Sequence, residues 1–184
     1  MQKIKLSVIF LLSFLIISCG FHLRGRQDLS AVLPEVTISG IDKHSELGRE
    51  LIRSLTAAKV NVLDDSKTIL NITSDKFSKR VLSVDSTGRA NQYELNYKLG
   101  FILLEKMQSE VKNNVSKNHF VDLIPAQSIE EKREYLFDEN LVLATADEEN
   151  RLNKSMRQAA MLQLVRRLMF SLKSKNTDKF SKTK

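Results

Sequence analysis

The chain has 184 residues, a formal charge of +7, 42% hydrophobic residues and a single cysteine. That length supports one domain with a sizeable core, and one cysteine excludes an internal disulfide framework. Lys3, Lys5 and the five lysines of residues 173–184, offset only by Asp178, hold most of the charge, leaving about +1 for the body, so the basic folded face of a nucleic-acid binder is not expected and no nucleic-acid partner is inferred.

Residues 6–17, LSVIFLLSFLII, form an apolar run of 12 residues behind Lys3 and Lys5. This is the length of a signal-peptide core, whereas a membrane-spanning helix needs about 20 residues. Residues 1–18 are therefore read as an export signal. Ile16-Ile17-Ser18-Cys19 resembles a bacterial lipobox, with a branched aliphatic three places before the cysteine and a small residue just before it. The chemistry needs a thiol at that place. Its sulfur takes a diacylglycerol as a thioether, the signal is cut before it, and the freed amine is acylated. Each buried CH₂ of such chains contributes about 0.8 kcal/mol to holding the protein on a membrane. Gly20, not Asp, follows Cys19, which resembles outer-membrane sorting. A secretory signal with an incidental cysteine is the alternative.

Ser45 can cap a helix start, with Glu46 in its first turn. Leu47, Leu51, Leu55 and Ala58 then recur at helical spacing over residues 46–58. Residues 60–63 follow as a short strand. Residues 69–84 are strand-rich, with the alternation disturbed around 75–79, as a bulge would do. Residues 93–101, YELNYKLGF, alternate apolar and polar, the pattern of a half-buried strand in an antiparallel sheet. Gln92, Glu94, Asn96 and Lys98 make its polar side. Residues 120–124 and 135–137 are further strand pieces. Pro125 and the charged run of residues 130–134 interrupt them, which predicts a long excursion there.

Thr145-Ala146-Asp147-Glu148 has the spacing of a capping box. Leu152, Met156, Ala159, Ala160, Leu164 and Leu168 then run down one helical face, widened by Met161, Val165, Met169 and Leu172. The methionines are expected to fill the core. The fold class is α+β, with two helices packed on one face of a four- or five-stranded, mostly antiparallel sheet in two layers. Residues 173–184, rich in Lys, Ser and Thr, are expected to be a disordered basic tail.

No constellation carries catalysis. His22, His44 and His119 lie in unrelated segments without metal-ligand spacing, and there is no phosphate-binding glycine loop or nucleophile elbow. Asp85-Ser86-Thr87-Gly88 is read as a glycine-containing turn between two long strands. No enzyme activity, metal or cofactor is expected.

Cys19-Gly20-Phe21-His22-Leu23-Arg24-Gly25 resembles the start of the mature LptE-type LPS-assembly lipoproteins, C-G-aromatic-H-L-R. Other segments follow in the family's order. Val36-Thr37-Ile38 is similar to its first strand and residues 46–58 to its first helix. Thr87-Gly88 with Gln92-Tyr93-Glu94-Leu95 is similar to its glycine turn and following strand. Phe137-Asp138, Ala159-Ala160, Gln163-Leu164 and Arg166-Arg167-Leu168 are similar to its last strand end and last helix. The likeness spans one domain, residues 19–172, and is weakest over 106–132.

The resemblance implies a lipoprotein of the outer membrane, facing the periplasm, that plugs an LptD-type LPS-translocon barrel, aids its assembly and binds LPS. A barrel lumen is polar, so a plug should present a polar surface. LPS carries phosphates on an acylated sugar, so Arg or Lys beside apolar surface should hold it. The family's basic contacts fall here on Ser86 and Ala146, which cannot serve. Arg80 or Lys79 before the turn, and Arg89 after it, are the expected substitutes. Two other readings stay open: a lipoprotein adaptor of another envelope machine, for barrel assembly or lipid transport, and an envelope hydrolase.

Overall fold

The computed structural model describes residues 28–109, 117–138 and 142–181. The signal read at 1–18, the lipobox with Cys19 and the motif after it lie outside these residues. Among the described residues the elements run β1 (Glu35–Ser39), α1 (Glu46–Ala57), β2 (Asn61–Leu63), β3 (Thr68–Val84), β4 (Ala90–Ser109), β5 (Lys117–Leu136) and α2 (Val142–Ser181). Two helices pack on a five-stranded sheet, the α+β arrangement expected.

Ser45 begins α1: its Oγ accepts the Gly48 N–H at 3.0 Å, satisfying a donor that the first turn leaves free. Leu47, Leu51 and Leu55 turn inward and are buried. The sheet order is β2-β1-β3-β4-β5. β1 lies parallel to both β2 and β3, and the longer β3–β4 and β4–β5 pairs are antiparallel. β1 reaches β3 only where Thr37–Ser39 face Ile69–Asn71. Past that level the sheet narrows to a ribbon of β3, β4 and β5.

The alternation in β4 sets the core. Leu95, Tyr97, Leu99, Phe101 and Leu103 are buried, and Met156, Ala160, Met161, Leu164, Val165, Leu168 and Leu172 of α2 belong to the same apolar cluster. The two methionines are core filler, as expected. α2 runs antiparallel to β5: Tyr135 bonds Glu149, Glu131 bonds Gln163 and Ser128 bonds Arg167.

The disturbed periodicity of β3 has its cause at Thr73. Ile72 pairs with Phe101 and Ser74 with Gly100, so Thr73 is an extra residue, slightly before the stretch the sequence points to. Gly100 is required there: a Cβ would stand 2.5 Å from Thr73 Oγ1 and 3.1 Å from Ser74 Cβ. Before the bulge Leu70 and Ile72 face the helices; after it, as far as Val81, the odd residues do, and a second shift follows before Ser83. β5 has a matching irregularity, because Phe101 pairs with Gln127 but Leu103 with Ile124.

Three expectations need correction. Residues 117–136 form one strand, with Pro125 in that irregularity, instead of an excursion. β5 is an edge strand, where the missing N–H of a proline costs no ladder bond. The charged run of residues 130–134 continues the strand because one side of it faces water. Thr145 does not cap α2, which starts at Val142 and holds Thr145 within it. α2 also continues past Leu172 to Ser181, through residues whose composition suggests a disordered tail. No Gly or Pro stops the helix there, and Lys175 ties it to Asp122 O at 3.3 Å.

Leu99 is completely buried at the centre of β4. Leu99→Ala is expected to cost about 2–5 kcal/mol through reduced burial and the cavity left behind, measured as a lowered urea midpoint with unchanged slope.

Candidate functional site

Strand alternation sends adjacent basic residues of β3 to opposite faces. Lys79 points toward α2. Its Nζ stands 2.6 Å from Glu149 Oε2, 4.2 Å above the Tyr93 ring centroid and 5.3 Å from that of Tyr135. The Tyr135 hydroxyl donates to the same Glu149 oxygen at 2.6 Å. Tyr93 stacks on Tyr135 at 5.8 Å and meets Phe137 edge-on at 5.5 Å. This knot fastens the start of α2 to the end of the ribbon. Burial works to lower the Lys79 pKa, but its contacts with Glu149 and Tyr135 outweigh that and raise it. Burial works to raise Glu149, and the same contacts hold it below the usual carboxylate range.

Arg80 points to the face that no helix covers. Its guanidinium takes the directly opposite Glu94 two-pronged, Nε to Oε1 at 2.7 Å and Nη2 to Oε2 at 3.2 Å. The Arg80 bond holds the Glu94 pKa down, with Lys132 adding to the effect. Ser78, Lys79, Arg80, Glu94, Asn96 and Lys132 line a shallow groove, although the Lys79 ammonium itself is turned away to Glu149. Asn96 Nδ2 donates to Glu130 at 2.7 Å, while its buried Oδ1 has no partner among the described residues. Gln92 donates to Glu134 at 3.1 Å. Gln92, Glu94, Asn96 and Lys98 thus lie on one polar face, as their spacing predicts.

The β3–β4 turn closes the end of this ribbon. Asp85 Oδ1 accepts from Thr87 N at 2.8 Å, Thr87 Oγ1 at 2.7 Å and Arg89 N at 3.0 Å. Gly88 takes φ +83°, which glycine adopts at no steric cost. The Thr87 hydroxyl and the Arg89 and Thr87 amides lower the Asp85 pKa. Asp85 is thus spent on shaping the turn. Val81, Leu82, Val84, Leu136 and Leu143 are exposed at this end.

Lys79, Arg80 and Arg89 therefore do not form one cluster. Arg80 is joined instead by Lys132, which the sequence hid inside a run of mixed charge. Only the register that puts Lys132 opposite Asn96 shows the two cations sharing a groove. A second groove, between the helices, holds Arg49, Arg53, Lys154 and Arg157 with Glu46 and Glu50. Its acids are already paired, Arg157 with Glu46 at 2.6 Å and Arg53 with Glu50 at 2.5 Å. Among the described residues no three His, Cys, Asp or Glu side chains are placed to hold a metal.

The fold and sequence have known counterparts. The LptE family model, described as lipopolysaccharide-assembly, matches residues 33–168. The LPS-assembly lipoprotein LptE of Photorhabdus laumondii is 27% identical over 157 residues, covering 82% of this chain and 77% of the relative. Its counterpart in Pectobacterium atrosepticum is 26% identical, with the same coverage. Among solved structures, a lipoprotein B from Nitrosomonas europaea superimposes with TM-score 0.58 at 27% identity, over 82% of this chain and 90% of that one. The rare lipoprotein B of Shewanella oneidensis gives 0.56 at 25% identity, over 78% and 97%.

The Lys79–Glu149–Tyr135 knot makes stability depend on pH at both ends. Glu149 is lowered by folding, so its contribution is present above the ordinary value of 4.5 and lost as pH falls through its folded value. Lys79 is raised, so its contribution is full below 10.5 and lost as pH rises through its folded value. The urea midpoint should be flat between these limits and fall outside them. Glu149→Gln should flatten part of the acid limb; an acid limb identical to wild type would show the knot uncoupled from stability.

Proposed function

Because the chain belongs to the LptE family of lipopolysaccharide-assembly lipoproteins, we propose that it is acylated at Cys19, faces the periplasm from the outer membrane, and sits as a plug in the lumen of an LptD-type barrel, whose assembly it aids and where it binds LPS. The observation that carries this reading is the pairing of Arg80 and Lys132 in one groove beside exposed Val81, Leu82, Val84 and Leu136. An acylated phosphosugar offers the complementary chemistry. Its phosphate suits the guanidinium and ammonium, and its acyl chains suit the apolar tip. Arg89, on the β3–β4 turn, is a further cation at the ribbon end.

The open sheet face supports the plug. Arg80–Glu94, Asn96–Glu130 and Gln92–Glu134 pair across strands, so the face is polar while its charges are largely matched. Such a surface tolerates a water-lined lumen.

Charge reversal at Arg80 and Lys132, or at Arg80 and Arg89, should weaken binding of purified LPS. A hydrogen bond from a charged side chain to a phosphate is worth about 1.5–3 kcal/mol, so removing one should weaken affinity roughly ten- to a hundredfold. Melting curves control for the Glu94 carboxylate left facing a new acid. Unchanged affinity in folded variants removes these residues from the site. For the plug, depletion should leave the barrel misassembled and LPS absent from the cell surface, and the tethered chain should co-purify with that barrel. Co-purification with a different barrel would assign it to another envelope machine.

A further inference from the structure

β5 ends the sheet and spans 20 residues. A long edge exposes a row of unpaired main-chain groups that invites another strand. Pairing on its inner side fixes which groups face out. Phe137 N–H donates to Asn91 O at 2.9 Å, in the register that sets Leu136 against Gln92 and Glu130 against Lys98. Main-chain groups alternate along an antiparallel strand. Odd residues of this stretch therefore bond β4, and Ser128, Glu130, Lys132, Glu134 and Leu136 turn their N–H and C=O outward.

Cations sit on these outward carbonyls. Arg167 of α2 donates to Ser128 O at 2.9 Å, and Arg133 donates to Lys132 O at 2.7 Å. Beyond the β5 irregularity, Lys175 of α2 donates to Asp122 O at 3.3 Å. Each occupies an acceptor and places charge where an incoming strand would lie.

We propose that the β5 edge is a strand-pairing surface for a second copy of this chain, held closed by Arg133, Arg167 and Lys175. Charge complementarity selects the second copy. Two β5 strands paired antiparallel about Arg133 set Lys132 of each against Glu134 of the other, and both residues have outward main-chain groups to bond. The same axis places Arg133 against its own copy, where like charges repel. Arg133 therefore opposes pairing twice, as a cap on a carbonyl and as a repelling neighbour. The guard keeps the chain a monomer.

Sedimentation equilibrium of the full-length chain in density-matched detergent tests this independently of LPS binding. Wild type should sediment as a monomer and R133A/R167A/K175A at twice that mass. Adding E134K should return the triple variant to monomer, and adding K132E together with E134K should restore the dimer. Should the triple variant lose its native circular dichroism, R167A/K175A is read in the same way. A folded variant that stays monomeric at sub-millimolar concentration, or a dimer indifferent to E134K, overturns the proposal.

Discussion

A helix advances about 1.5 Å per residue and a strand about 3.3 Å, and this chain holds one of each together over most of their length. The forty residues of α2 span about 60 Å, and the twenty of β5 about 66 Å. Their contacts march in opposite order, Glu149 with Tyr135 and Lys175 with Asp122, so the helix backs the strand from end to end. The β3–β4–β5 ribbon could not stand far beyond β1 without that backing, because a sheet needs a covered apolar face to be stable.

The cover changes character along the helix. Around Leu99, Phe101 and Leu164 the packing is apolar and fully buried. Toward the ribbon end it becomes polar. Tyr97 is buried against Phe77, their rings 4.2 Å apart, and burial drives its hydroxyl pKa well up. Glu131, largely buried, meets Arg133 at 3.4 Å and is bonded by Gln163. Buried polar groups cost free energy unless satisfied, so this half fixes the register of helix on sheet more than it adds stability. It also leaves the opposite face of the same strands open, and that is where the candidate groove lies.

Much of this was legible in the sequence. The alternation of residues 93–101 gives the face of β4, Ser45 gives the start of α1, and the spacing from Met156 to Leu168 gives the inward stripe of α2. What was not legible depended on pairing between distant segments. Pro125 and the charges of residues 130–134 mimic a loop when read locally, and only the edge position of β5 makes them compatible with a strand. Lys79 and Arg80 are equivalent on paper and opposite in space. Lys132 acquires its place only through its register with Asn96.

The extra residue at Thr73 acts as a parity switch: up to Ile72 the even positions of β3 lie beneath the helices, and from Asp75 to Val81 the odd ones do. The strand thus carries one residue more than its partner needs, and loss of a single position between Ile72 and Lys79 would be absorbed by straightening the bulge, with Lys79 still inside and Arg80 still outside. Gain of a further residue has no such reserve to draw on. Drift in the length of this segment should therefore run toward shortening by one codon and not toward lengthening.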